Sequence, residues 1–347
     1  MQTKISSASA FVAAIKAHEQ FVLGRPGGIR ADLKYVKAPG IDLSRRRLDD
    51  IELSGADLSG ANLAGANLSR SSLYCADITR ANLSGANLCR ADLRGARLYG
   101  VNFEFADMDG ADFRQSTIAV ADSNGRWVIL GDQDRTVSFT NCSLKRAKLN
   151  NANLKNAKFD GALLNGASFA GATLDNATFD GAILVGVNLS ELRVAPGRLR
   201  NCITDPSPEL RARLPRYLAM LDDVQKWVET AGRQGSAASF EGEDIRLLAQ
   251  HMKTRVLTGI NLKKTIAVNT DFTDCELQAA KFDCADLRNA TFTGADLRGA
   301  SFAGANLAHA NFSRANLRPL EFENGAIMPT IFDEASLDRA NFGEAHR

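Results

Sequence analysis

The chain is poor in the residues that most often do chemistry. Among 347 residues there are four histidines, His18, His251, His309 and His346. No two stand at metal-ligand spacing and there is no HExxH, so no metal centre is expected. The glycine-rich run LGRPGGIR, residues 23–30, lacks the Lys-Ser/Thr pair of a phosphate loop and reads as a turn. The six cysteines, Cys75, Cys89, Cys142, Cys202, Cys275 and Cys284, are scattered without a CxxC. That pattern predicts reduced thiols and a cytoplasmic home. No stretch of about 20 apolar residues exists, so no helix is expected to span a membrane. The start, Met1 to Lys16, holds only the short apolar patch FVAAI and predicts no signal peptide. A formal net charge of +2 implies no bulk attraction to nucleic acid or to anionic lipid. Tryptophan is limited to Trp127 and Trp227, and four of the eight prolines cluster between Pro196 and Pro215.

What the chain has instead is a beat of five. In ADLSG ANLAG ANLSR, Ala56 to Arg70, a Leu recurs every fifth residue with Ala two residues before it. The centres continue through Leu73, Ile78, Leu83, Leu88, Leu93 and Leu98. A step of five rotates about 140° around an α-helix, which would scatter the leucines over its whole surface. In a strand, an odd step alternates faces. Only a chain that turns a corner at every repeat keeps each Leu and each Ala inside, so the expected fold is a solenoid.

Three tracts keep the beat: Leu43 to Phe113, Phe139 to Leu189 and Leu262 to Phe342, each displaced in register from the last. In the third tract Phe272, Phe282, Phe292, Phe302, Phe312, Phe322, Phe332 and Phe342 alternate with Leu277, Leu287, Leu297, Leu307, Leu317, Ile327 and Leu337. A three-sided coil would mix Phe and Leu in every column. A four-sided coil of twenty residues stacks Phe on Phe up two opposite walls, and that is the predicted architecture. The spacing leaves open whether the third tract continues the same rod or begins another. Cys142 and Cys275 replace the inward Ala and are expected in the core, whereas Arg46 at an inward Ala position predicts an imperfect coil.

These residues, A(D/N)(L/F)xx in tandem, resemble the pentapeptide repeat family. The resemblance implies an all-β solenoid, a right-handed quadrilateral β-helix with the centre and the Ala inside. The polar residues flanking each centre are turn formers suited to the corners. The segment His18 to Leu33 resembles the lead-in found ahead of many such tracts, and its expected task is to cover the first coil.

The interruptions complete the expected organisation. Residues 1–30 form an N-terminal helical cap, with Phe11, Val12, Ile15 and Phe21 in helical spacing between Ala8 and Val22. Residues 31–116 form the first repeat tract. Residues 117–136 carry apolar runs around Asn124-Gly125 and predict a β-hairpin bearing Trp127. Residues 137–194 form the second tract. Residues 195–259 predict an inserted helical hairpin, with Leu218, Leu221, Val224, Trp227 and Val228 on one helix and Ile245, Leu248, Met252 and Val256 on the other. Residues 260–347 form the third tract.

No catalytic constellation emerges: the carboxylates occupy corner positions, and pairing any two as acid and base is arbitrary. The chain is expected to be no enzyme and to need no cofactor. The expected function is a non-enzymatic scaffold for a protein partner. The candidate contacts are Trp127 and Trp227 in the interruptions and two stacked arginine pairs, Arg70 with Arg90 and Arg298 with Arg318. The resemblance implies an alternative, since some family members imitate duplex DNA, bind DNA gyrase and protect it from inhibitors. Against it, the best acidic column, Glu52, Asp92 and Asp112, is broken by Ser72, and other columns mix signs. Asn62, Asn82 and Asn102 should form a ladder that secures the corners through side-chain to backbone hydrogen bonds. A secreted effector is a further alternative, supported only by the Ser-rich start. The final coil, ending NFGEAHR, would expose an open edge, and homodimerisation through it is expected.

Overall fold

The structure is a computed structural model and describes residues 8–117, 120–121, 127–128, 136–199, 201–237 and 239–346. The chain divides into two compact units, Met1–Asp205 and Pro206–Arg347.

The repeat Ala56–Gly60 shows how five residues make one wall. Ala56 and Leu58 point inward and are fully buried, while Asp57 between them pairs in parallel with Asp77 one coil later. The Ala61 N–H donates to the Leu58 carbonyl at 3.0 Å and closes a corner. Gly60, at φ 66°, supplies the left-handed residue that this kind of turn needs at its third position. The Leu58 N–H donates to the Asp77 carbonyl and the Asp57 N–H to the Val36 carbonyl, both at 2.8 Å. Each coil is thereby bonded to the one before and the one after.

In the first unit the parallel bridges step by twenty residues from Asp32↔Glu52 to Arg97↔Thr117. Four repeats therefore make one coil with four walls. Across the first interruption the step lengthens to 36, at Asn102↔Ser138, Asp107↔Ser143 and Asp112↔Lys148, and returns to twenty at Ser138↔Lys158. The second tract thus continues the first solenoid. Within the interruption two short strands, β1 (Val120–Ala121) and β2 (Trp127–Val128), pair antiparallel with Val120 opposite Val128. The expected Asn124-Gly125 turn lies outside the described residues.

Helix α1 (Ala8–Val22) packs Phe11 and Ile15 into the core of the first unit. The apolar face differs from the expected one. Val12 and Phe21 are exposed, and the third position on the buried stripe is His18, with no exposed surface. Its Nδ1 accepts the Ala31 N–H at 3.2 Å and its Nε2 lies 2.9 Å from the Asp49 carbonyl. Arg46 does not enter the core either; its guanidinium turns out to Glu19 of α1 at 3.1 Å. At the other end, α2 (Leu189–Leu192) buries Leu192, and a 3-10 turn follows at Pro196–Leu199.

The second unit opens with α3 (Pro208–Arg211), N-capped by Ser207, and α4 (Leu214–Glu229). The expected helical hairpin is not there. Among the described residues of this unit only α4 is a long helix, and it buries Tyr217, Leu221 and Val224. The second predicted helix is the first coil of the solenoid: Ser239 bridges Asn261, Asp244 bridges Ile266 and Val256 bridges Glu276. Ile245, Leu248 and Met252 are buried there as wall residues, with only a single 3-10 turn at Arg246–Leu248. Their spacing of three to four residues mimics a helix because this first coil is irregular, stepping by 22 residues before settling to twenty. Repeats therefore begin near Ser239 instead of residue 260. Tyr217 of α4 meets Phe240 edge-on at 5.8 Å, so α4 lies on that first coil as α1 does on its own.

The two Phe walls are present. Phe272–Phe292–Phe312 and Phe282–Phe302 stack nearly parallel at 4.8–4.9 Å, and the two columns meet edge-on at 5.5–5.6 Å. In the first unit Phe139–Phe159–Phe179 stack at 4.8 and 5.1 Å. The third tract differs from expectation at its end. Phe302 stacks on Phe332, not on Phe322, and Phe312 on Phe342. The bridges there step by thirty, at Ser301↔Ile331 and Asn306↔Ser336. Residues between Leu317 and Ile331 leave the solenoid as a hairpin of β3 (Leu320–Glu321) and β4 (Ile327–Met328). Phe322 and Ile327 are 43% and 64% exposed, so neither is a core centre.

Candidate binding surfaces

With Ala, Leu and Phe filling the core, the chemistry of both units is confined to outward columns, corners and insertions. The residue before each centre repeats one local device. Asn62, Asn82 and Asn102 accept, through their side-chain oxygens, the N–H two residues on, from Ala64, Ser84 and Glu104 at 3.2, 3.0 and 2.8 Å. This is the corner-securing role expected of the Asn ladder.

Where the sequence reads Asp-centre-Arg, the device gains a second bond. Arg94, Arg114, Arg246, Arg288 and Arg298 each fold back onto the Asp two residues earlier, with Nε on Oδ1 at 2.8–2.9 Å and Nη2 on Oδ2 at 2.6–2.7 Å. Such two-pronged pairs are the strongest hydrogen-bonded ion pairs available to a surface. Burial pushes the Asp112 and Asp296 carboxyls up, but their arginine forks outweigh it and hold both below the usual range.

The predicted contact residues fare unequally. Arg298 is forked to Asp296 within its own repeat. Arg70 is forked to Asp50 in the preceding coil, at 2.9 and 2.6 Å, and that bond lowers the Asp50 pKa. Arg90 is exposed and lies over Gly110, whose added Cβ would meet its Cγ at 3.6 Å. Arg318 is exposed at the corner where the β3–β4 hairpin departs. Neither Arg90 nor Arg318 has an acidic partner among the described residues. Trp227 sits on the outer side of α4, 37% exposed, against Gly232. The Trp127 side chain lies outside the described residues. Arg70 and Arg90 belong to the first unit, and Trp227, Arg298 and Arg318 to the second.

Sequence reasoning missed two features. His18 stands at i+7 from Phe11, the spacing that puts it on the buried stripe of α1. The β3–β4 hairpin was hidden by the beat itself. Among thiols, burial raises Cys89 to about 12 and Cys275 to about 11, and it also raises Cys142, so these stay protonated at neutral pH. Among the described residues no group of three His, Cys, Asp or Glu side chains is placed to hold a metal. Among the described residues no helix is long and apolar enough to cross a membrane.

A family model described as pentapeptide repeats matches residues 51–88, 76–115, 138–162 and 152–191, and one described as a pentapeptide repeat region matches 246–322 and 265–342. The chain belongs to the pentapeptide repeat family. No curated protein matches it. Among solved structures it is similar to HetL, a pentapeptide repeat protein involved in heterocyst differentiation regulation in the cyanobacterium Nostoc sp. strain PCC 7120. That alignment has 20% identity, covers 94% of this chain and 91% of HetL, and has a TM-score of 0.16. A pentapeptide repeat protein of the Arabidopsis thaliana thylakoid lumen is 28% identical over 33% of this chain and 68% of its own, with a TM-score of 0.19. QnrB1, a plasmid-mediated fluoroquinolone resistance protein, is 17% identical over 54% of this chain and 97% of its own, with a TM-score of 0.22.

Proposed function

We propose that the protein is a non-enzymatic scaffold that binds a protein partner, built on right-handed coils with α1 and α4 as end caps. One observation carries this reading. The β3–β4 hairpin adds nothing to the core, yet it holds Phe322, Ile327 and Met328 exposed on the wall of a rigid solenoid. Exposed apolar side chains grouped on an insertion mark a contact site more readily than a folding element. No disulfide joins the cysteines of the described residues, which supports a reducing, cytoplasmic setting. Self-association of the solenoid is proposed as well. Light scattering that returns a monomer at high concentration removes the self-association.

Excising residues 197–258 would strip α4 and much of the first coil, so it cannot separate binding from folding. The cleaner test removes 319–328 and sets Pro329→Gly, because the corner needs a left-handed residue that proline cannot supply. Partners captured by the intact chain should be lost with unchanged melting. Retention of all of them removes the hairpin as the reader.

The alternative, a DNA mimic acting on gyrase, draws support from the family resemblance. Mimicry calls for closely spaced unpaired negative charge. Asp92 and Asp112, the core of the best acidic column, are neutralised by Arg94 and Arg114. A supercoiling assay with and without a quinolone decides it; neither inhibition nor protection ends the alternative.

A further inference from the structure

The last coil of the first unit closes on one wall and stays open on another. On the closed wall the Ile203 N–H donates to the Ala182 carbonyl at 2.9 Å and the Leu184 N–H to the Ile203 carbonyl at 2.7 Å. On the wall Ala172–Asn176 the ladder stops. Thr173 still bonds backward, its N–H to the Ala152 carbonyl at 3.0 Å and its carbonyl from the Leu154 N–H at 2.8 Å. One coil earlier, Leu154 and Asn156 donate forward to Thr173 and Asp175 at 2.8 and 2.7 Å. The corresponding groups here, the Leu174 and Asn176 N–H and the Ala172 carbonyl, have no partner among the described residues. The chain that should supply the next strand is diverted through α2, and Arg193, at φ 49°, turns it aside. A cleft of about 350 Å³ separates the two runs, with Thr173–Asn176 on one side and Val194 and Ala195 on the other. Leu192, buried against the core, lines its inner side.

We propose that this cleft takes an extended peptide of a partner protein as an added strand. A strand edge with unpaired amides and carbonyls is a template for another chain. The available groups run acceptor, donor, donor along the wall. A small anion would satisfy the donors but would face the Ala172 carbonyl and the Asp175 side chain; a peptide backbone offers both kinds of partner in the right order. The residue that continues the column Asn153–Thr173 should be small and polar, and the residues flanking it small, because Leu192 already fills the inner space. Arg198 lines the cleft too, and its guanidinium is already engaged on the wall, with the Ala177 carbonyl at 3.2 Å and the Asn176 side-chain oxygen at 3.5 Å. The inference rests on the scaffold reading and gives it a second contact site with defined chemistry.

The test is amide hydrogen exchange on the full chain with a blocked peptide of sequence ATADN, the wall 172–176 with its inward Leu cut to Ala to clear Leu192, at millimolar concentration. Exchange at Leu174 and Asn176 should slow in proportion to 1 + [peptide]/Kd. Ala195→Trp, which fills the cleft from the opposite side and leaves the ladder intact, should abolish the slowing. Val194→Trp serves as the second blocking variant if Ala195→Trp shifts the melting curve. No slowing in the native chain, or equal slowing in the blocked variants, overturns the proposal. The hairpin excision judges the scaffold reading separately: a chain that captures partners through its hairpin but ignores the peptide loses only this cleft.

Discussion

Arg288 lies flat against Asp286, two residues earlier on the same outer wall, with Nε on Oδ1 at 2.8 Å and Nη2 on Oδ2 at 2.6 Å. The Arg288 side chain is only 10% exposed, whereas that of Arg94 in the equivalent fork with Asp92 is 44% exposed. Exposed pairs contribute about 0–1 kcal/mol, and removing one partner of a charged hydrogen bond costs more as the survivor is more buried. Asp286→Ala should therefore destabilise by about 1–3 kcal/mol and Asp92→Ala by under about 1 kcal/mol. Urea unfolding of the two variants, followed by circular dichroism, checks the order; equal losses would mean the forks are interchangeable.

The β3–β4 insertion makes an opposite pair of predictions for two phenylalanines on the same beat. Phe292 is fully buried between stacked rings, so Phe292→Ala should cost about 3–5 kcal/mol. Phe322 is on the hairpin, so Phe322→Ala should stay within about 0.5 kcal/mol of the native chain. Thermal melts distinguish them directly. A large loss at Phe322 would return it to the core column that the sequence suggested.

His18 gives the first unit a pH dependence. Its buried ring accepts an N–H at Nδ1, which only the neutral form can do, and burial lowers its pKa from the ordinary value. The charged groups around it, Asp49, Asp50 and Arg30, modify that shift without reversing it. A neutral His favoured by folding contributes stability fully above its unfolded pKa of about 6.5 and loses it as pH falls toward the lower folded value. Within that window the slope should reach at most about 1.4 kcal/mol per pH unit. His18→Gln should flatten it. Asp50, held low by Arg70, loses its own contribution only in more acidic solution, so the two windows separate. Denaturant titrations at stepped pH would show an unchanged slope in the variant if another group were responsible.

Two corner glycines separate backbone strain from crowding. Gly161 and Gly181 are both left-handed, at φ 69° and 65°. A Cβ on Gly161 would run into the Asn141 side-chain oxygen, whereas one on Gly181 meets nothing within 4 Å. Gly181→Ala should cost about 1–2 kcal/mol for the left-handed backbone alone. Gly161→Ala should cost about 1–3 kcal/mol more; in an Asn141→Ala background, itself left-handed at φ 53°, the Gly161→Ala cost should fall toward that of Gly181→Ala, as a double-mutant cycle by urea unfolding would show.

Much of the architecture is readable from the beat because Ala and Leu at fixed positions allow no other inside. The Phe alternation was readable for the same reason, down to the two walls. Two elements were not. The coil at Ser239 reads as a helix because Ile245, Leu248 and Met252 are three or four residues apart, while its own five-residue beat, Phe240 to Ile245, holds only two centres. The β3–β4 hairpin escaped because its length is a whole number of repeats, so Phe322 and Ile327 fall on time. Its signal was present elsewhere: Leu320 and Gly325 stand where the inward Ala should be, Asn324-Gly325 is a turn pair, and Pro319 and Pro329 bracket the run. Of the surface, the arginines were legible as columns but not as forks, since partnering depends on the Asp two residues back.

The corner between Leu317 and Ile331 accepts ten surplus residues while Phe302 and Phe332 still stack at 5.0 Å. It behaves as a socket. Sequences of other lengths could be grafted there, multiples of five or not, and the walls beyond would resume in step, so that what the protein displays can be exchanged without redesigning what holds it together.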